Sequence, residues 1–128
     1  MAFTAITTVD IPVQPGTKAY NFKASGAILK GQAVVLTGDN QVGVPGDHSS
    51  RLFGVAAYSV TTAGDMVAIY GPDNIVNARI SGTNAFGTFV GAYDNGFLHT
   101  STYSGAIITK AATSTGGVGE VLLLGWTK

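Results

Sequence analysis

Gly31-Gln32-Ala33-Val34-Val35-Leu36, closed by the turn Gly38-Asp39-Asn40, is the stretch that decides the fold, because the chain states it twice. After it come Leu52-Phe53-Gly54-Val55-Ala56-Ala57, the loop Thr61-Thr62-Ala63-Gly64-Asp65 and the apolar run Met66-Val67-Ala68-Ile69-Tyr70-Gly71. The second statement reads Gly87-Thr88-Phe89-Val90, Asp94-Asn95-Gly96, Ser104-Gly105-Ala106-Ile107-Ile108, Thr113-Ser114-Thr115-Gly116-Gly117 and Val121-Leu122-Leu123-Leu124-Gly125. The shared order is strand, Asp-Asn turn, strand opening on Gly, Thr/Gly loop, buried strand ending in Gly. The offset between the copies drifts, and Gly64-Asp65 against Gly119-Glu120 is one residue out. β-branched and aromatic residues fill the apolar runs, Gly punctuates them, and no i, i+3, i+4 stripe persists. The expectation is an all-β domain: a small β-barrel or sandwich, β-tulip-like, of two related β units at about 21–81 and 82–128.

Composition narrows what such a domain can do. Its 128 residues are enough for one core without staples, and it has no cysteine, so disulfides and thiolate metal sites are excluded. Seven basic and seven acidic side chains cancel, removing the electrostatic footprint of nucleic-acid binding. Charged residues are only 11% of the chain, against about 25% in an ordinary soluble domain. So little charge cannot dress a fully solvated exterior, and the expectation is a surface covered by copies of the chain or by a larger partner. No basic n-region with an apolar h-region opens the sequence and no run reaches the length of a membrane span, so neither a signal peptide nor a membrane partner is expected.

Ahead of the two units, residues 1–20 form a Thr- and Pro-punctuated segment with strand periodicity: Val9, Ile11 and Val13 alternate with Asp10, Pro12 and Gln14. Pro12 and Pro15 donate no amide hydrogen, so this strand is either an edge of the domain's own barrel or a free extended arm. As an arm it would present Phe3, Ile6, Val9, Ile11 and Val13 to a partner's sheet edge. Ala24-Ser25-Gly26-Ala27-Ile28-Leu29-Lys30 is the one stretch that could form a turn or two of helix. Asn95-Gly96 is the best hairpin signal, since both positions tolerate the positive φ of a type I′ turn. Met66–Tyr70 and Val121–Leu124 are apolar without alternation, the pattern of strands buried on both faces.

Residues that could carry chemistry have plainer roles. Asp47-His48-Ser49-Ser50 holds the letters of a catalytic triad, but adjacent residues on extended chain point in opposite directions and cannot form a relay. A metal site from His48, His99 and Asp47 or Asp94 has no supporting spacing, and Asp39-Asn40 and Asp94-Asn95 read as Asx turns. Thr115-Gly116-Gly117-Val118-Gly119 lacks the Lys-Ser/Thr of a phosphate cradle. Tyr58, Tyr70, Tyr93, Tyr103 and Trp126 are scattered over both units rather than alternating on one sugar-stacking strand. No enzyme activity, cofactor or metal is expected.

The runs Leu29-Lys30-Gly31-Gln32-Ala33-Val34-Val35-Leu36, Ser50-Arg51-Leu52-Phe53-Gly54-Val55-Ala56-Ala57 and Ala63-Gly64-Asp65-Met66-Val67-Ala68-Ile69-Tyr70-Gly71 are similar to two related groups. One is the lambda-type head decoration proteins of tailed phages. The other is a family of small phage head proteins with a Lys-Gly-x-x-Val-Val opening and a Gly-Val-Ala strand. Ser104-Gly105-Ala106-Ile107-Ile108 and Glu120-Val121-Leu122-Leu123-Leu124 resemble the closing repeat of the second group. The resemblance covers most of Leu29 to Gly125 and rests on short motifs of common residues. It implies a virion structural protein, made in the host cytoplasm, that binds the major capsid protein on the outer surface of an icosahedral head. It would sit there as a homotrimer at three-fold positions and cement neighbouring capsomers. In the lambda-type group an amino-terminal arm orders on the capsid, and residues 1–20 match that arm in position only. A phage tail or fibre module and a carbohydrate-binding β module are the alternative readings.

Overall fold

The computed structural model describes residues 18–47, 50–82, 84–111 and 117–124. Ten short strands carry the chain: β1 Ala19–Ala24, β2 Ala33–Gly38, β3 Gln41–Gly43, β4 Gly54–Ala56, β5 Met66–Tyr70, β6 Ile75–Arg79, β7 Phe89–Ala92, β8 Leu98–His99, β9 Ala106–Lys110 and β10 Val118–Leu123. The first five close into a barrel in the order β1-β3-β2-β4-β5, and the last five form a second sheet in the order β6-β10-β9-β7-β8. The all-β expectation holds. The stretch 24–30 does not turn helical: Ser25 and Gly26 bend the chain, and Ile28 bridges to Val60 instead. A β-branched residue buried at that bridge outweighs a propensity that only Ala and Leu supply.

The two units repeat strand for strand, and most pairings of the first recur in register in the second. β1 pairs with β5 through Ala19↔Tyr70 to Lys23↔Met66, and β6 pairs with β10 through Ile75↔Leu122 to Arg79↔Val118. Ala33↔Val55 and Val34↔Gly54 recur as Phe89↔Ile107 and Val90↔Ala106. The Phe53 amide donates to the Val34 carbonyl at 2.8 Å, and Gly105 donates to Val90 at 2.8 Å. Gly31 and Gly87, each ahead of its unit's second strand, sit at φ of +86° and +83°, where a side chain is strained. The barrel closes through two parallel pairs, Lys23↔Gln41 and Ala24↔Val42, while the second sheet meets itself at the single parallel bridge Ile80↔Leu98.

These pairings fix an alignment that the sequence pattern places differently. Positions through β3 and β8 match 56 residues apart (Ala19 with Ile75, Val42 with Leu98), and those from β4 and β9 onward 52 apart (Tyr70 with Leu122). Gly54 therefore answers to Ala106, and Gly105 answers to Phe53, because the two glycines relieve different crowding. A Cβ on Gly54 would strike the Tyr70 carbonyl, and one on Gly105 would come within 2.9 Å of the Leu52 Cβ. β6 pairs with β10 and belongs to the second sheet, so the join between units falls at residues 71–74 rather than at 81/82.

Alternation along the strands builds two cores. Ala24, Ile28, Val34, Val42, Ala56, Val67 and Ile69 fill the first barrel. The next side chain along each wall points outward, and Ala33, Val35, Leu52, Val55 and Tyr70 share one buried cluster with Val76, Ala78, Ile80, Val90, Leu98, Ile108, Val121 and Leu123 of the second unit. The first barrel is thus buried on both faces over residues 33–35, β4 and the end of β5 at Ile69 and Tyr70, whereas Met66 is exposed and Ala68 half-buried, so the start of β5 alternates. β10 differs from expectation: Val121 and Leu123 are buried while Leu122 between them is half-buried, so this strand alternates. Asn95-Gly96 turns as expected, with φ of +62° and +77° between β7 and β8.

Candidate functional site

Among the described residues an apolar surface stands open on each unit. The first is a cleft of about 350 Å³ at the mouth of the barrel, lined by Tyr20, Phe22, Phe53, Ile69, Gly71 and Pro72. Tyr20 and Phe22 reach it from β1 because they stand two apart on one face of the strand, paired with the inward-facing Ile69 and Val67. Phe53 meets Phe22 edge-to-face at a centroid distance of 4.8 Å, a geometry that holds both rings at the rim. Tyr20 is 57% exposed, so among the described residues nothing stops the mouth. The lining supplies no convergent set of polar groups of the kind that orients a small polar ligand.

The second surface is the outer wall of the second sheet. Phe89, Ile107, Leu122 and Ile75 stand opposite one another on β7, β9, β10 and β6, an apolar row crossing four strands. Phe89 is 56% exposed and Phe86, just before it, 77%. The Thr109 hydroxyl donates to the Glu120 carboxylate at 2.8 Å beside the row, so these two polar side chains are engaged with each other at its border. Exposed aromatic side chains on a flat sheet face are unusual unless something covers them.

The residues singled out for chemistry are not brought together. Asp47 is exposed, and His48 lies outside the described residues. His99 is built into the fold: Asn84, itself buried, bridges the His99 Nδ1 at 3.2 Å and the Ser81 carbonyl at 2.9 Å, and Tyr93 stacks edge-on at 5.0 Å. The Asn84 side-chain nitrogen carries two hydrogens, enough to reach both partners. Among the described residues no three His, Cys, Asp or Glu side chains are grouped to hold a metal. The four tyrosines weighed as a sugar-stacking set face four surroundings. Tyr58 is exposed, with its hydroxyl donating to the Met66 carbonyl; Tyr70 is buried at the join; Tyr93 packs on His99; and Tyr103 lies under the Arg51 guanidinium at 4.1 Å. Trp126 and the arm residues Phe3, Ile6, Val9, Ile11 and Val13 lie outside the described residues.

No family model and no curated protein matches the chain. Its fold does have a solved counterpart: the N base of the head fibre gp8.5 of bacteriophage phi29 superposes with a TM-score of 0.62, covering 88% of this chain and 98% of that one. Sequence identity is 10%, so the likeness is one of fold. That the match spans both units means the pairing of a closed barrel with a second sheet is shared, not the barrel alone.

Sequence reasoning missed the cleft. Its signal is the pair Asn21-Phe22-Lys23-Ala24-Ser25-Gly26 and Asn77-Ala78-Arg79-Ile80-Ser81-Gly82, which share Asn-x-Lys/Arg-x-Ser-Gly and mark β1 and β6 as counterparts. Reading Tyr20 and Phe22 against Val76 and Ala78 would have shown large aromatics where the second unit carries small buried residues.

Proposed function

We propose that this protein is a virion structural protein that decorates and stabilises the outside of an icosahedral phage head. It binds the major capsid protein and sits as trimers at three-fold positions. The observation that carries the reading is the fold likeness to a phage head-fibre base over nearly the whole of both chains. Three further features support it: the short motifs similar to phage head proteins, a charge content of 11%, and apolar surfaces left open on both units. The protein works by covering and being covered, with no catalytic step. In this reading residues 1–15 act as an arm that adds to an exposed sheet edge of the capsid protein through Phe3, Ile6, Val9, Ile11 and Val13, backbone pairing giving affinity and alternate side chains the register.

The test is a cryo-EM map of heads assembled without the protein and then incubated with it. Added density at local three-folds on the outer surface is the expected result. Heads that stay bare, or protein that binds only at the tail vertex, would sink the reading. The similar chain is a head-fibre base, which favours a second reading: attachment to the head as the foot of a longer fibre. Density at a subset of sites with a projecting stalk would select it.

A further inference from the structure

We infer that a second copy of this chain seats the bare outer wall of its second unit in the open mouth of its neighbour's first unit. The argument comes from the contact the chain already makes with itself. Within one molecule, the outer wall of the first unit (Ala33, Val55 and Tyr70, with Leu52 beside them) is buried in one cluster with Val76, Ala78, Val121 and Leu123, the inward face of the second unit. Both partners in that contact have a counterpart by register. The wall answers to Phe89, Ile107 and Leu122, since Ala33↔Val55↔Tyr70 recurs as Phe89↔Ile107↔Leu122. The covering face answers to Tyr20, Phe22, Ile69 and Gly71, because Ala19↔Tyr70 recurs as Ile75↔Leu122. These counterparts are the two apolar surfaces left open, the wall row and the cleft.

One molecule therefore carries a satisfied contact between its units, plus one unsatisfied half of the same kind at each end. Two unlike, complementary halves make a heterologous contact, which closes into a ring when the rotation between copies allows it and runs on as a filament when it does not. The side chains fit that use. The cleft is apolar and rimmed by aromatic rings, and the wall offers Phe89, Ile107 and Leu122 with no charge among them. This assigns named surfaces to the self-association in the proposed function, and rests on that reading only for closure at three.

The chain has no cysteine, so single engineered thiols report the contact cleanly. Tyr20→Cys and Phe89→Cys proteins, mixed and treated with a short bis-maleimide, should cross-link to each other, and neither should cross-link to itself. Like-with-like products, or a protein that stays monomeric at every concentration and gives no 20–89 product, would overturn the contact. So would an intramolecular product from a Val9→Cys/Tyr20→Cys chain at the expense of the 20–89 link, which would make the chain's own first residues the occupant. Ile107→Asp should shift association to roughly tenfold higher concentration or beyond, because a carboxylate is costly to bury unpaired, while the variant melts close to the parent. Retained association in that variant counts against the contact as well. Head binding separates the two ideas. A 20–89 link in a protein that ignores phage heads leaves the contact standing and removes the proposed function. Three-fold decoration without the link does the reverse.

Discussion

The two units share strand order, register and turn chemistry, yet one mouth is plugged and the other is open. At the second unit's mouth the sequence places Val76, Ala78 and Gly105, small enough for the first unit's wall to come close, with Leu52 against Gly105. At the equivalent positions of the first unit it places Tyr20, Phe22 and Phe53, which hold a cleft open between them. The walls diverge too: Ala33, Val55 and Tyr70 are buried, and Phe89, Ile107 and Leu122 remain partly or largely exposed. Duplication thus accounts for the backbone, while side-chain size at a few matched positions decides which contact is made inside one chain.

The sharpest way to break that comparison is to put the same change on both walls. Val55→Asp buries a carboxylate with no partner at the join and should cost more than about 4 kcal/mol, enough to prevent folding. Its counterpart Ile107→Asp, on the half-buried wall, should cost less than about 1.5 kcal/mol by urea unfolding. Equal losses would mean that the second wall is as buried as the first and the comparison is wrong.

Next in size come the side chains that hold each closure. Leu98 is fully buried at the single bridge that brings the second sheet's ends together, and Leu98→Ala should cost about 2–5 kcal/mol. Val42, its counterpart in the barrel, is backed by two ladder pairs and loses a smaller side chain in Val42→Ala, so its loss should be smaller. The reverse ranking would show that the second unit does not depend on its bridge.

A matched pair of glycines calibrates the repeat itself. Gly31→Ala and Gly87→Ala both force a side chain into left-handed backbone and should each cost about 1–2 kcal/mol. The Cβ at position 87 meets open space and the one at 31 lies 3.5 Å from the Arg79 Cγ, so a large difference between the two would reveal a steric contribution at the join.

The smallest effect is electrostatic and one-sided. Burial raises the Tyr70 hydroxyl above its ordinary pKa of 10.0, whereas the matched Leu122 has nothing to titrate. The unfolded chain then gives up its proton before the folded one, so stability is complete below about pH 10 and falls as pH rises from there through the raised folded value. Denaturant midpoints measured across that range should decline in the parent and decline less in Tyr70→Phe. A Tyr70→Phe profile identical to the parent's would place the loss elsewhere.

Much of this architecture was legible in residues 31–36 and 87–90, where Gly and a polar residue open a short run of β-branched, aromatic and other apolar side chains, the pattern of a strand leaving a tight turn. The Asn95-Gly96 turn was legible for the same local reason. What could not be read was the true alignment. A glycine records that something lies close without saying what, so Gly54 and Gly105 look equivalent although one faces the Tyr70 carbonyl and the other Leu52. Nor could the pattern tell that the partner on the barrel's outer face is the chain's own second unit. Unbroken apolar runs report burial on two faces but not whose atoms do the burying.

Asn74, in the join, ties together the places where the chain arrives and leaves. Its side chain hydrogen-bonds both the amide and the carbonyl of Lys18, and its carbonyl accepts from the Leu123 amide at 2.9 Å. The described chain therefore begins and finishes at one pole. The loop Thr61–Asp65 lies at the other end of β5 from Gly71, about 17 Å away for a five-residue strand, and every residue in it is exposed. For anyone wishing to carry foreign peptides on this scaffold, the described fold is entered at Lys18 and left at Leu124 on the same side. An insertion at Gly64, where the backbone already turns at φ +95° with open space around it, would point the cargo the opposite way.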